Sequence, residues 1–273
     1  MNTMTFQALE AVRGPLADLP LLRLEQAGPV LHLRLNRPAK RNSISDELLA
    51  QIHTVFVNMP AGIKVVVLSG EGEHFCAGLD LSEVSERTVA EGMLHSRSWH
   101  ACFDAIQFGP VPVIAVLQGA VVGGGLELAA SAHLRVAEDS AFYGLPEGTR
   151  GIFVGGGGSV RISRLIGVAR MTDMMLTGRV FDADEGQAFA ISNYRVADGE
   201  GLAKALQLAQ RIAGNAPLSN YAITQALPRI ADLSASDGLF METLMASIAQ
   251  GDEAAKERVR AFLEKRAAKV AKS

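Results

Sequence analysis

Two short apolar runs, at residues 65–68 and 111–117, constrain the fold of this chain more than any other feature. Each is rich in β-branched residues and stands near polar residues or glycine, a pattern typical of a strand buried on both faces. Before the first run, Ser45 is a suitable helix cap, and Asp46 and Glu47 favour the first helical turn. Strands that alternate with helices predict right-handed βαβ units, and therefore an α/β fold.

The remaining pattern divides the chain into a mixed part and a helical part. Residues 22–25 and 30–35 alternate apolar and polar side chains around a glycine–proline turn, which predicts a β-hairpin. Residues up to about Leu21 are expected to form a poorly ordered lead-in. From Leu202 onward, apolar residues recur almost wholly at helical spacing. We therefore predict an α/β core over residues 1–200 and a helical region over residues 201–273.

Composition and charge argue against several classes of protein. The 273 residues carry a formal net charge of -3, so the chain has no basic field to hold nucleic acid. Cys76 and Cys102 form no metal-binding cluster and are expected to be buried and reduced, with a disulfide as the alternative. The first 20 residues lack a secretory pattern, and no apolar run approaches the ~20 residues that cross a bilayer. We expect a cytoplasmic protein that binds neither nucleic acid nor membrane.

Glycine-rich segments mark three turns. Gly123, Gly124 and Gly125 follow a predicted strand and precede helix-forming residues. Such a turn lets backbone N–H groups approach a ligand at the positive end of a helix, although close packing alone would also favour glycine. Residues 75–81 form a second loop of this kind, and residues 155–158 are a run of four glycines. The run predicts either a close helix crossing or backbone donors that face a ligand.

Glu127 and Glu147 are the candidate catalytic carboxylates. Glu127 stands between Leu126 and Leu128 in an apolar stretch, and Glu147 lies in a loop that contains proline and glycine. Apolar surroundings disfavour the charged carboxylate and raise its pKa toward neutrality, which suits general acid–base catalysis. The alternatives are a first-turn glutamate stabilised by the helix dipole for Glu127, and a solvated loop residue for Glu147.

Six motifs, taken together and in chain order, resemble the crotonase (enoyl-CoA hydratase/isomerase) superfamily. The resemblance covers nearly the whole chain, from Leu22 to about Lys269. The motifs are Asn36-Arg37-Pro38 with Asn42, and residues 75–81, 119–129, 142–147, 151–159 and 176–178. The resemblance implies a crotonase-like α/β fold of repeated ββα units, followed by a C-terminal helical trimerisation region.

The resemblance assigns catalytic roles near the glycine turns. It implies that the backbone N–H groups of Ala77 and Gly124 form an oxyanion hole for the thioester carbonyl. Glu127 and Glu147 would hold the attacking water, and one of them would supply a proton to the α-carbon. Gly155 matches a glycine whose backbone helps to orient water and substrate.

The resemblance also implies two binding pockets. The expected walls of the acyl pocket are Trp99, Tyr143 and Phe153, each of which is alternatively a plain core residue. The expected contacts to coenzyme A are Lys40, Arg41, Gly78, Leu79, Asp80, Phe262 and Lys265. Phe262 and Lys265 would reach coenzyme A bound by a neighbouring subunit, whereas the basic residues are alternatively an ordinary solvated surface.

Because both glutamates are present, the resemblance favours an enoyl-CoA hydratase, which adds water to an α,β-unsaturated acyl-CoA thioester. Residues 51–60, 72–87 and 145–178 look most like enzymes that hydrate methylthioacryloyl-CoA during bacterial dimethylsulfoniopropionate breakdown. The alternatives are a Δ3,Δ2-enoyl-CoA isomerase that uses one glutamate, and a non-catalytic binding protein with the crotonase fold. The resemblance implies no cofactor beyond the coenzyme A of the substrate, and self-association to a trimer or hexamer.

Overall fold

The computed structural model describes residues 10–12, 16–80, 82 and 86–264, and the chain divides into two compact units. The first unit spans Met1–Ala213 and the second spans Gly214–Ser273. The strands, all in the first unit, are β1 (Glu10–Ala11), β2 (Leu22–Ala27), β3 (Val30–Leu35), β4 (Val65–Gly70), β5 (Val113–Leu117), β6 (Ala120–Val122), β7 (Leu134–Glu138), β8 (Phe142–Gly144), β9 (Val180–Phe181) and β10 (Tyr194–Val196).

Helices surround these strands and make up the second unit. Those of the first unit are α1 (Asp46–Val57), α2 (Val89–Gln107), α3 (Gly124–Ser131), α4 (Gly158–Ile166), α5 (Val168–Thr177), α6 (Ala183–Ala188) and α7 (Gly201–Ala213). Those of the second unit are α8 (Pro217–Ile230), α9 (Ala235–Gly251) and α10 (Glu253–Leu263). Short 3-10 helices occupy Pro38–Lys40 and Gly148–Arg150.

The larger sheet has the strand order β1-β2-β3-β4-β5-β7-β10. β2 and β3 form the predicted antiparallel hairpin, and from β3 to β10 each neighbouring pair is parallel. A smaller sheet has the order β6-β8-β9. Parallel strands joined by helices agree with the α/β class predicted from the buried apolar runs.

Hydrophobic cores cover both faces of the larger sheet. Because successive strand residues face opposite sides, Leu31 and Leu33 of β3 join the core under α1 and α2, whereas Val30 joins a second core under α7. Ser45 caps α1 as predicted, since its hydroxyl accepts a hydrogen bond from the Leu48 N–H at 3.1 Å. The packing of α7 on the sheet explains why the first unit ends at Ala213, later than the boundary predicted after residue 200.

The segment before β2 differs from the expected lead-in. β1 pairs antiparallel with β2, with Glu10 opposite Gln26 and Ala11 opposite Glu25. Leu16 is buried in the main core. Alternation is hard to recognise in a strand of two residues, so its sequence gave no signal of pairing. The described part of this segment therefore belongs to the folded unit.

The two cysteines are buried and unpaired, as expected. Cys76 and Cys102 are buried free thiols, and burial raises the pKa of each to about 12.

Helix α9 exposes large apolar side chains, among them Leu239 and Phe240. The predicted trimer or hexamer stays a prediction. In the part of the chain that the structure describes, no helix is long and apolar enough to span a membrane.

His133 makes the stability of the fold depend on pH. The Val113 N–H donates to Nδ1 of His133 at 2.9 Å, and Nε2 lies 2.9 Å from the Gln107 carbonyl oxygen, so the ring is held as its neutral Nε2–H tautomer. Burial lowers the pKa of His133 to about 4. Because the unfolded chain takes up this proton at a higher pH, the free energy of unfolding decreases as the pH falls from about 6.5 to about 4.

We expect this decrease to be on the order of 1–3 kcal/mol for His133. Urea denaturation of the wild type and His133→Gln, followed at several pH values across this window, measures it. Other groups titrate in both proteins, so the difference between the two curves isolates His133. Parallel curves would show that His133 contributes nothing to the acid sensitivity.

Candidate active site

A cavity of about 730 Å³ opens beside α2, α3 and the glycine run at residues 155–158. Its volume lies in the range of small-molecule binding sites. Glu127, Glu147, Leu79 and Gly124 all line it. The structure thus gathers both candidate carboxylates and two glycine-rich turns, from separate segments of the chain, around one space.

Glu127 is held by the glycine run. It lies in the first turn of α3 and is only 3% exposed. Its Oε1 accepts hydrogen bonds from the N–H groups of Gly156 at 2.8 Å and Gly158 at 2.7 Å. Burial, followed by the nearby Glu147, raises the pKa of Glu127 to about 7, although the two N–H donors act in the opposite direction. The carboxyl is therefore rigidly placed and titrates near neutral pH.

Glu147 reaches the same cavity from the loop before the 3-10 helix Gly148–Arg150. It is 7% exposed, and burial raises its pKa. Its Oε1 lies 2.9 Å from the point that a Cβ on Gly123 would occupy, so glycine at that position leaves room for the carboxyl. Within the described ranges, Oε2 is buried without a hydrogen-bond partner. A side chain this buried does not fit the alternative of a solvated loop residue.

The backbone donors that face the cavity are those of Leu79 and Gly124. Ile44 forms a parallel bridge with Leu79, in which the Ile44 N–H donates to Gly78 O at 2.7 Å and the Asp80 N–H donates to Ile44 O at 2.9 Å. In that pattern the Leu79 N–H points away from Ile44. Gly124 is the first residue of α3, where N–H groups have no partner within the helix.

The two donors lie close together, and the residue at position 124 must be glycine because the indole of Trp99 packs directly against it. A Cβ on Gly124 would lie 3.6 Å from the Leu79 nitrogen and 2.6 Å from Cζ3 of Trp99. Neither N–H donates a hydrogen bond to another of the described residues. An oxygen atom of a ligand could therefore accept from both.

The structure corrects the predicted oxyanion donor Ala77. The Ala77 N–H donates to the carbonyl oxygen of Arg41 at 3.0 Å, so it cannot also serve a ligand. The donor that remains free lies two residues later, at Leu79, a residue that the family resemblance places among the contacts to coenzyme A. Gly124 stays in the place that the resemblance gave it.

Two of the three residues expected to line the acyl pocket lie at the cavity, and the third does not. Trp99 and Phe153 line the cavity, Trp99 buried on its wall and Phe153 69% exposed. Trp99 packs between the two glycine turns, because a Cβ on Gly156 would lie 3.1 Å from its Cε3. Tyr143 is fully buried on β8 and does not line the cavity, so its core alternative fits the structure.

Sequence comparisons identify the family. A family model described as enoyl-CoA hydratase/isomerase matches residues 25–272. The chain belongs to the enoyl-CoA hydratase/isomerase family. It is 31% identical over 249 residues to enoyl-CoA hydratase EchA19 of Mycobacterium tuberculosis, which covers 89% of this chain and 94% of that protein. It is 34% identical over 239 residues to 2,3-dehydroadipyl-CoA hydratase of Escherichia coli, which covers 87% and 93% respectively.

Solved structures of this family have the same fold. A crystal structure of a Rhodopseudomonas palustris protein assigned as an enoyl-CoA hydratase matches with a TM-score of 0.89 and 56% identity, over 94% of this chain and 100% of that chain. Enoyl-CoA hydratase from Bacillus anthracis matches with a TM-score of 0.84 and 31% identity, over 90% and 96%. These matches confirm the predicted crotonase-type fold and an enzyme of the enoyl-CoA hydratase class.

The positions that the family resemblance assigned to coenzyme A are spread over the chain. Lys40 and Arg41 are exposed in the loop after β3. The carboxylate of Asp80 is already engaged, by Arg37 at 2.7 Å and by the hydroxyl and N–H of Ser82 at 2.7 and 3.0 Å. A direct contact of Asp80 with coenzyme A would therefore have to displace these partners.

The other predicted coenzyme A contacts remain expectations. Gly78 has a positive φ of 96°, and a Cβ there would lie 2.8 Å from the Val122 carbonyl oxygen, so glycine is required by the turn itself. Phe262 is exposed on α10 of the second unit, and Lys265 lies outside the described residues.

Sequence reasoning identified the glycine run but not the residues that act within it. Gly155 lines the cavity, and its carbonyl oxygen accepts a hydrogen bond from the Ser96 hydroxyl at 2.6 Å. The donors to Glu127 are instead Gly156 and Gly158. Four successive glycines were the signal, since only a segment without side chains could approach a buried carboxyl so closely.

The described residues include no cluster of three or more His, Cys, Asp or Glu side chains arranged to hold a metal ion. The groups that line the cavity are carboxyls, backbone N–H donors and apolar side chains, which suit proton transfer and stabilisation of an oxyanion. That the enzyme works without a cofactor stays a prediction.

Proposed function

We propose that the protein hydrates α,β-unsaturated acyl-CoA thioesters at this cavity. One observation carries the proposal: two buried carboxyls, Glu127 and Glu147, share the cavity with the free N–H groups of Leu79 and Gly124. Hydration of a conjugated thioester needs both a proton donor and a proton acceptor, together with donors for the carbonyl oxygen that gains negative charge.

The proposed reaction assigns a step to each group. The N–H groups of Leu79 and Gly124 bind the thioester carbonyl oxygen and stabilise the enolate that forms. One glutamate, as a carboxylate, removes a proton from water while the water oxygen bonds to the β-carbon. The other glutamate, as a carboxylic acid, donates its proton to the α-carbon, and the carbonyl re-forms. The two glutamates exchange protonation states, and the net change is addition of H and OH to the double bond.

This mechanism requires that the pair holds one proton. Two carboxyls in a buried site disfavour double ionisation, and Glu147 accordingly contributes to the raised pKa of Glu127. The apparent pKa values belong to the pair, whichever residue carries the proton. Activity is then expected to decrease at low pH, where both groups are protonated, and at high pH, where both are ionised.

Methylthioacryloyl-CoA is the proposed substrate. Support comes from the resemblance of residues 51–60, 72–87 and 145–178, and from apolar side chains in the cavity such as Met93, Ile152 and Phe153, which suit a methylthio group. Hydration would place a hydroxyl on the carbon that bears sulfur, and this thiohemiacetal would release methanethiol. Addition of a second water to the thioester would release coenzyme A, and loss of CO₂ would leave acetaldehyde.

An assay of the purified protein with crotonyl-CoA and methylthioacryloyl-CoA tests the substrate. We expect kcat/KM for methylthioacryloyl-CoA to exceed that for crotonyl-CoA by at least about tenfold, the factor expected from ~1.4 kcal/mol of better transition-state binding. Methanethiol is measured in the headspace, so that it is distinguished from the thiol of coenzyme A. Crotonyl-CoA hydration without preference would retain the hydratase and reject this substrate. Activity on neither would reject the proposed function.

A further inference from the structure

Arg161 lies behind the glycine run, outside the cavity lining. It belongs to α4, and its side chain is 8% exposed. Nε donates to Oε1 of Gln107 at 2.6 Å, and Nη2 donates to Oδ1 of Asp104 at 2.5 Å, both on α2. Nη1 donates to the carbonyl oxygen of Gly156 at 3.0 Å. Burial of a cation is costly unless it is paired and hydrogen-bonded, and here each of the three guanidinium nitrogens donates to an acceptor.

The bond to Gly156 connects Arg161 to the carboxyl of Glu127. The carbonyl of Gly156 is fixed by the guanidinium, while the N–H of the same residue donates to Glu127 Oε1 at 2.8 Å. Gly157 has a φ of 93°, and a Cβ there would collide with Nη1 of Arg161. The guanidinium thus fills the space under the turn, and the turn presents the Gly156 and Gly158 N–H groups to the carboxyl.

The charge of Arg161 also acts on Glu127. The positive charge of Arg161 lowers the pKa of Glu127, against the larger effects of burial and Glu147. The other charged or titratable groups around the two residues are Asp104 on α2, Arg164 on α4 and His100 on the cavity wall. Asp104 pairs with Arg161 directly, so Arg161 is tethered to α2 at the same time as it supports the turn.

We propose that Arg161 is a positioning residue for the proposed hydration, which it serves by locking the turn at residues 155–158 against α2 so that two N–H groups hold Glu127. It touches neither substrate nor reacting atoms. The inference rests on the proposed function for its effect on rate, and on the observed hydrogen bonds for its effect on Glu127.

Four variants separate the roles of the guanidinium: Arg161→Met, Arg161→Lys, Asp104→Asn, and Arg164→Met as a control. Arg161→Met removes the cation and its donors, whereas Arg161→Lys keeps a cation whose donors share one nitrogen and cannot reach acceptors that contact three separate guanidinium nitrogens. Asp104→Asn is a milder change that keeps Arg161 in place. Arg164 is exposed on the same helix and matches Arg161 in size and charge. Each is measured for kcat and KM with crotonyl-CoA from pH 5 to pH 9, and for melting temperature.

For Arg161→Met we expect kcat to fall by about 10- to 100-fold with little change in KM, because a shift of the Glu127 carboxyl by a fraction of an ångström affects the reaction more than binding. The alkaline limb of the pH profile should move up by about one pH unit, since a nearby cation is lost. Arg161→Lys should lower kcat but keep the limb near its wild-type position. Arg164→Met should behave as the wild type.

A readout that needs no activity keeps this inference separate from the proposed function. Protein labelled with ¹³C at the glutamate Cδ, with Glu127→Gln used for assignment, gives the titration of the Glu127 carboxyl by NMR. Arg161→Met, or Arg161→Gln if the former does not fold, should shift that titration upward even if the wild type hydrates no substrate. Asp104→Asn removes a negative charge and keeps Arg161 in place, so it should not shift the titration upward. A Glu127 titration in Arg161→Met identical to that of the wild type would overturn the proposal, as would an unchanged kcat in a folded Arg161→Met.

Discussion

Replacement of Glu127 by glutamine should lower kcat for hydration by about 10²–10⁴-fold, the usual contribution of a general acid or base, and Glu147→Gln should do the same. Glutamine nearly matches glutamate in shape. In Glu127→Gln its amide oxygen can still accept from Gly156 and Gly158, so the turn stays in place while proton transfer is lost. Steady-state rates with crotonyl-CoA measure both effects.

The control for these variants is Glu200→Gln, because Glu200 is exposed and lies away from the cavity lining. It should keep wild-type kcat and KM. The double variant Glu127→Gln/Glu147→Gln should lose little more than the worse single variant, because the two carboxyls act as a unit. A folded single variant that retains activity within about threefold of wild type would contradict acid–base catalysis by that residue, whose expected effect is far larger.

The sequence predicted those parts of the fold that depend on local pattern. The apolar runs at residues 65–68 and 111–117 correspond to β4 and β5, and the predicted cap Ser45 precedes α1. The sequence did not predict what α7 packs on, because its apolar spacing shows only that it is a helix. Its side chains cover the sheet, a contact that joins residues far apart in the chain.

The site shows the same division between local and distant information. The motifs pointed to the loop that carries one donor of the proposed oxyanion hole, but Ala77 and Leu79 differ in whether a distant carbonyl already accepts from their N–H. The Arg41 carbonyl occupies the first, and the bridge to Ile44 turns the second toward the cavity. Neither partner follows from the composition of the loop. A free backbone donor is a property of the assembled fold, and only the structure reveals it.

The sequence did not single out Arg161, because its contacts also depend on segments that are far apart in the chain. A lone arginine in the helix after the glycine run looks like one of many surface cations. Its burial, and its three acceptors on Gly156, Asp104 and Gln107, appear only when α2 and α4 are brought together. The geometry of the site thus depends on backbone groups and supporting contacts as well as on the two glutamates.

The second large effect is expected at Gly124, where Gly124→Ala should lower kcat by about 10²–10³-fold, the typical cost of losing an oxyanion donor. The added methyl group would lie 2.6 Å from Cζ3 and 2.9 Å from Cη2 of Trp99, closer than carbon atoms can approach. Either the indole or the turn must move, and the Gly124 N–H then loses its alignment with Leu79. KM should change less than kcat, because the oxyanion forms only in the transition state.

Three further measurements test whether the collision with Trp99 causes the loss of activity. Gly251→Ala on α9 has open space around the added methyl group and should keep wild-type activity. Trp99 is the single tryptophan of the chain, so a change in tryptophan emission of Gly124→Ala reports directly on displacement of the indole. The double variant Gly124→Ala/Trp99→Leu removes the collision, and it should be more active than Gly124→Ala if the collision is the cause. A Gly124→Ala protein with wild-type kcat would mean that the carbonyl oxygen is bound elsewhere, and the proposed oxyanion hole would have to be abandoned.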